Sequence, residues 1–125
     1  MSKRVIHTDK APKALGPYSQ AIETNGFIFA SGQLGIDPAT GDLQVGAEAQ
    51  IKQALTNVAS VLEEAGSSLE NIVKTTIFFK DLANFQAVNE IYGSFFENAY
   101  PARSAFQVAK LPLDAEVEIE VVAVK

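Results

Sequence analysis

The dipeptide Asn25-Gly26 stands between Ala21-Ile22-Glu23-Thr24 and Phe27-Ile28-Phe29-Ala30-Ser31. Two residues that tolerate positive φ, flanked by runs of strand-forming residues, specify a hairpin with a type I′ turn. An antiparallel pair is thereby fixed early in the chain, and the later elements must pack on a sheet that has already begun. A short strand is expected before it, at Arg4 to His7, across a loop holding Pro12, Gly16 and Pro17. The segment Asp37-Pro38-Ala39-Thr40-Gly41-Asp42 reads as an exposed turn.

The period then changes. Ile51, Leu55, Val58, Leu62 and Ala65 recur at helical spacing from Ala47 to Ala65, and Gly66 supplies the left-handed stop. Val73 to Phe79 is rich in β-branched and aromatic residues and predicts a strand covered at least partly on both faces. Asp81 or Asn84 would cap a second helix with Phe85, Val88, Ile91 or Tyr92, and Phe95 inward, ended by Pro101. Strands at about Arg103 to Ala109 and Glu116 to Val124 complete the order β-β-β-α-β-α-β-β. Each helix lies between strands, so one mixed sheet with both helices on one face is the economical α+β layout, and residues 1–125 form one domain. The other face then has no cover in its own chain. Phe78 or Phe79, Phe106, Val122 and Val124 would line it, which is more exposed apolar surface than a monomer usually carries, so a homo-oligomer is expected.

Composition removes several chemistries. The chain of 125 residues has no cysteine and one histidine, His7, which excludes thiolate sites, a cysteine nucleophile and zinc held by several imidazoles. Ten basic and fifteen acidic residues give a net charge of −5, and no Lys/Arg cluster tracks a phosphate backbone, so nucleic acid is a poor partner. Met1-Ser2-Lys3-Arg4 leads into no apolar leader run and no long apolar stretch occurs further on, so a cytoplasmic chain with no membrane contact is expected. Gly32-Gln33-Leu34-Gly35 lacks the rest of a phosphate loop, and Asp37 with Asp42 lacks the rest of a calcium loop.

Glu116, Glu118 and Glu120 alternate with apolar residues on the last strand and so share one face. They are either a solvated face or, if an oligomer covers that face, a set with at least one carboxyl in a cleft that needs a partner. Arg103, expected at the start of the neighbouring strand, offers a planar fork of donors for such a group, or an ordinary ion pair. Tyr18 lies in the turn Gly16-Pro17-Tyr18-Ser19, which could equally be a packing corner.

Taken as a set, Gly16-Pro17-Tyr18-Ser19-Gln20-Ala21, Ser31-Gly32-Gln33, Lys74-Thr75-Thr76, Val88-Asn89 with Tyr92 and Phe95-Phe96, Pro101-Ala102-Arg103-Ser104, Leu111-Pro112 and Val117-Glu118-Ile119-Glu120 resemble the RidA (YjgF-type) family of reactive-intermediate deaminases. The resemblance runs in order over nearly the whole chain. It implies a chorismate-mutase-like α+β subunit in a homotrimer with sites between subunits. It also implies hydrolysis of 2-imino acids, derived from 2-aminoacrylate and 2-aminocrotonate, to 2-keto acids and ammonia, with no metal or organic cofactor. By position, Arg103 would bind the substrate carboxylate and Glu118 would orient or deprotonate water, while Tyr18, Gly32 (through its backbone) and Asn89 would line the pocket. Ala105 stands where many members have cysteine, leaving its backbone N–H to meet the substrate. The alternatives are a non-catalytic trimer that binds small carboxylates and regulates a partner, and the endoribonuclease or translation-inhibitor branch, which the acidic charge balance disfavours.

Overall fold

The computed structural model describes residues 2–125. Asn25 and Gly26 take φ of 52° and 78°, as a type I′ turn requires, and join β2 (Ala21–Thr24) to β3 (Phe27–Leu34). β1 (Arg4–Ile6) pairs antiparallel with β2. The remaining elements are α1 (Ala47–Glu64), β4 (Ile72–Phe79), α2 (Phe85–Ser94), β5 (Ala102–Gln107) and β6 (Val117–Val124). They give the expected β-β-β-α-β-α-β-β order and one mixed six-stranded sheet in the order β1-β2-β3-β6-β4-β5. The pairing of β4 with β5 is parallel and the others are antiparallel.

Helix α1 buries Ile51, Ala54, Leu55, Val58, Val61 and Leu62 against the sheet, and each fully buried aliphatic side chain contributes about 1.5–3 kcal/mol. It ends as the glycine predicts. Gly66, at φ 83°, donates to Glu63 O, and Ser67 donates to Leu62 O, so the last carbonyls are satisfied. Two polar residues on the buried face, Gln50 and Asn57, serve the backbone where the sheet becomes irregular. Asn57 Nδ2 donates to Leu34 O and Ile36 O, and Gln50 Oε1 accepts from Glu116 N at 2.8 Å. The residue that leads into the last strand is thus tied to α1. The two backbones approach closely because Gly35 has no side chain: a Cβ there would stand 2.4 Å from Gln50 Cα.

In three places the structure differs from the reading of the sequence. β5 is not the neighbour of the glutamate strand, because β4 lies between them. The crossover through α2 lays β5 parallel beside β4, while β6, whose Val117, Ile119, Val121 and Ala123 are all buried, takes the centre of the sheet. Glu116 precedes β6, so only Glu118 and Glu120 share its open face. On α2, Tyr92 is buried, and beyond its end it is Phe96 that is buried, while Phe95 is half-buried; Asp81 caps the single turn Leu82–Asn84 by accepting from Ala83 N.

Both helices cover one face. Along the other lie Phe27 and Phe29 of β3, Phe78 of β4, Phe106 of β5 and Val122 and Val124 of β6, whereas Phe79 turns into the core. Phe29 remains 48% exposed and Phe106 45%. Phe106 meets Phe78 edge-on, with ring centroids 5.4 Å apart.

Candidate functional site

The candidate residues fall into two groups on opposite faces of the sheet. Phe78 is in register with Glu118, and Thr75, three residues earlier on the same strand, is in register with Arg103. Side chains alternate along a strand, so residues in register with positions three apart point to opposite sides. Glu118 therefore rises from the open face and Arg103 from the face that carries α2.

Glu118 is half-buried on the central strand. A register shift in β3 between Ala30 and Gln33 brings Gly32 beside it, and a Cβ on Gly32 would stand 2.7 Å from Glu118 Oε2. The carboxylate occupies space that any other residue at position 32 would fill. Burial pushes the Glu118 carboxyl above the usual carboxylate range, and the Glu120 charge beside it on the same face adds to the rise. The cavity in front of it, about 610 Å³, is also lined by Tyr18, Gly32, Leu34 and Leu113. The segment bearing Tyr18 is held by buried Gln20, whose amide accepts from Thr8 N at 2.7 Å and donates to Pro12 O at 2.8 Å. Ser31 Oγ donates to Ser19 O at 2.6 Å, which ties that segment to β3. On the far rim, Leu113 and Asp114 both adopt the left-handed region, at φ 56° and 54°, which leaves Leu113 exposed at the mouth.

Arg103 stands on the edge strand. Its guanidinium lies over the rings of Phe85 and Tyr92, with Cζ 5.4 Å and 5.0 Å from their centroids, and Nη1 donates to Asn89 Oδ1. A second cavity of about 420 Å³ opens here, lined by Asn89, Tyr92, Gly93, Tyr100, Pro101 and Arg103. Ala105, two residues along β5, is half-buried on the same face and packs against the core.

One chain thus brings Tyr18, Gly32 and Glu118 together, and separately Asn89 and Arg103. It does not bring Arg103 to Glu118. Reading the sequence missed Phe85 and Tyr92 as partners of Arg103, although Phe85, Asn89 and Tyr92 follow the i, i+4, i+7 spacing of one helix face. It also missed the steric tie of Gly32 to Glu118, which no local pattern announces. Among the described residues, no group of three or more His, Asp or Glu side chains is placed to hold a metal ion, and no helix is long and apolar enough to cross a membrane.

A family profile described as Endoribonuclease L-PSP matches residues 8–125. A RutC family protein of Aquifex aeolicus is 54% identical over 98% of this chain and 99% of its own length. The human protein named 2-iminobutanoate/2-iminopropanoate deaminase is 48% identical over 98% of this chain and 90% of its own. Among solved structures, the YjgF gene product of Escherichia coli superposes with a TM-score of 0.95 at 42% identity, covering 98% of each chain. Escherichia coli TdcF with bound serine does so with a TM-score of 0.94 at 39% identity, again over 98% of each.

Proposed function

The chain belongs to the RidA/YjgF family described as Endoribonuclease L-PSP, and from that premise we propose that it is a 2-imino acid deaminase whose active site is completed between copies of itself. The observation that carries the proposal is the placement of an anion grip and a proton acceptor on opposite faces of one sheet, each opening into its own cavity. Neither half does the chemistry alone. A homotrimer that packs the open face of one copy against the Arg103 edge of the next unites them and buries Phe27, Phe29, Phe78 and Phe106.

In that cleft Arg103 receives the substrate carboxylate, and Asn89 and Tyr18 close the sides. The substrate is a protonated 2-imine, already electrophilic at carbon, so catalysis is mostly positioning and proton transfer. Water attacks the imine carbon while Glu118 takes its proton. The same carboxyl then returns the proton to the carbinolamine nitrogen, and as the C–N bond breaks it takes the hydroxyl proton, leaving a 2-keto acid and ammonia, which picks up that proton and departs as ammonium. A carboxyl whose proton affinity is raised by burial suits both halves of that relay. No step calls on a metal or organic cofactor. Ala105 contributes its backbone N–H alone. Residues 1–125 act as one catalytic domain in the cytoplasm, and the net charge of −5 argues against an RNA substrate.

The test is keto-acid release from freshly generated 2-iminobutanoate, first with the wild type and then with two variants. Arg103→Ala and Glu118→Gln should each lose about 10²-fold or more in rate. Unfolded together in equal amounts and refolded, the two dead variants should recover roughly a quarter of wild-type activity, because one in four interfaces then pairs an intact Arg103 with an intact Glu118. A mixture as inactive as its parents rules out the shared site. A wild type that binds 2-oxobutanoate without accelerating hydrolysis rules out the deaminase and leaves a carboxylate-binding regulator.

A further inference from the structure

Three cations of the chain are paired with opposite charge: Arg4 and Lys125 both meet Glu23, and Lys80 meets Asp114 at 3.1 Å. Arg103 is not. Among the described residues no carboxylate lies within ion-pair distance of it, and its guanidinium is held by neutral groups projecting from one face of α2.

The cradle is itself braced. Tyr92 is 4% exposed, its hydroxyl shares a 2.8 Å hydrogen bond with Thr75 Oγ1, and its ring packs 5.0 Å from that of Phe96. Thr75 is fully buried and is the β4 residue in register with Arg103, so the ring that carries the cation is anchored to the strand beside it. Phe85 leans on core Phe79, with centroids 5.8 Å apart.

How an arginine is held decides what it can still bind. Pinned by an acid, it has its charge cancelled and a pair of N–H donors occupied. Pinned by ring faces and one amide oxygen, it keeps its full charge and gives up one of its five donors. Because the rings fix the guanidinium plane, the rotamer entropy of a long side chain is lost on folding and not on binding.

We propose that Phe85 and Tyr92 are positioning residues that hold Arg103 aimed and uncompensated, so that it takes a free carboxylate in the cavity between α2 and β5. This rests on the reading of Arg103 as the carboxylate grip. It adds that the affinity of the grip is set by two aromatic side chains that do not touch the reacting atoms.

The test measures the Kd of 2-oxobutanoate by calorimetry and KM and kcat on 2-iminobutanoate for Phe85→Leu, Tyr92→Leu and Tyr92→Phe. Loss of one ring face under a partly desolvated cation should raise Kd and KM about 5- to 30-fold in each leucine variant, with kcat within about threefold of wild type. Tyr92→Phe keeps the ring and gives up only the bond to Thr75, so it should stay within about threefold on every parameter. Should Tyr92→Leu fail to fold, half-buried Phe85 carries the test alone. A folded Phe85→Leu that binds 2-oxobutanoate like the wild type, or that loses kcat at unchanged KM, overturns the proposal. If the wild type binds 2-oxobutanoate but hydrolyses no imine, while Phe85→Leu binds it more weakly, the deaminase reading fails and the aromatic cradle stands. A wild type that binds no 2-oxobutanoate removes the carboxylate grip and the cradle's purpose with it.

Discussion

At Glu118 two influences act in the same direction. Burial disfavours its charged form, and the Glu120 carboxylate beside it does so again. As the proposed acceptor of a proton from water, Glu118 would have to be ionised. The rate should therefore fall as pH drops through its raised pKa, and the acid limb of the kcat/KM profile should lie above the usual carboxylate range. Glu120→Gln removes the second influence and leaves the first. The acid limb should move to lower pH with the plateau unchanged, and a limb that stays put or moves up would assign it to another group. Gly32 and Glu118 also show the limit of what residue types reveal: both can be picked out from the sequence, but that the glycine makes room for the carboxylate depends on a register shift between strands far apart in the chain.

At the scale of elements, the contact of α1 with the end of β3 sets where β6 begins. Gln50 holds Glu116 N from the helix, and Gly35 lets the helix come close enough for it to do so. Gly35→Ala would set a Cβ 2.4 Å from backbone atoms that have no rotamer to change, so the helix itself must move. Overpacking in cores costs about 1–3 kcal/mol, and backbone against backbone belongs at the upper end. Gly41→Ala provides the comparison, since nothing lies within 4 Å of its Cβ and only its φ of 81° resists. Urea unfolding should show a clearly lower midpoint for Gly35→Ala than for Gly41→Ala at equal m-value. Equal midpoints would mean that the close approach costs no more than the left-handed strain at position 41. The elements themselves were largely legible: the spacing of Ile51, Leu55, Val58 and Leu62 predicts α1, and Gly66 ends it. α2 was read less well, because Tyr92 and Phe96 compete with Ile91 and Phe95 for the inward face and only packing against α1 and β4 selects between them.

The whole molecule presents an unfinished surface. Phe27 and Phe29 are 43% and 48% exposed beside half-buried Val122 and Val124, on a sheet face that no element covers among the described residues. Light scattering at micromolar concentration should give three times the 13.4 kDa chain mass. Phe29→Asp should leave the fold of the protomer intact, since the side chain is half exposed within one chain. It should shift the mass to 13.4 kDa and abolish turnover, because an unpaired charge buried between copies costs several kcal/mol. A Phe29→Asp protein that keeps the wild-type mass and activity would place the contact elsewhere.

The sequence by itself determined whatever is decided within a few residues. Asn25-Gly26 closes a hairpin because both residues accept positive φ, and the alternation of Val117-Glu118-Ile119-Glu120 sends carboxylates to one side and aliphatics to the other. Even the missing cover on one sheet face can be had from counting helices against strands. The order of those strands cannot. Only the tertiary structure inserted β6 between β3 and β4, set β5 at the edge, and chose the registers that put Arg103 and Glu118 on opposite faces of the sheet. Backbone dihedrals and side-chain period are local properties that a short stretch of chain carries with it. Which strands become neighbours depends on crossovers and burial that engage the whole chain at once.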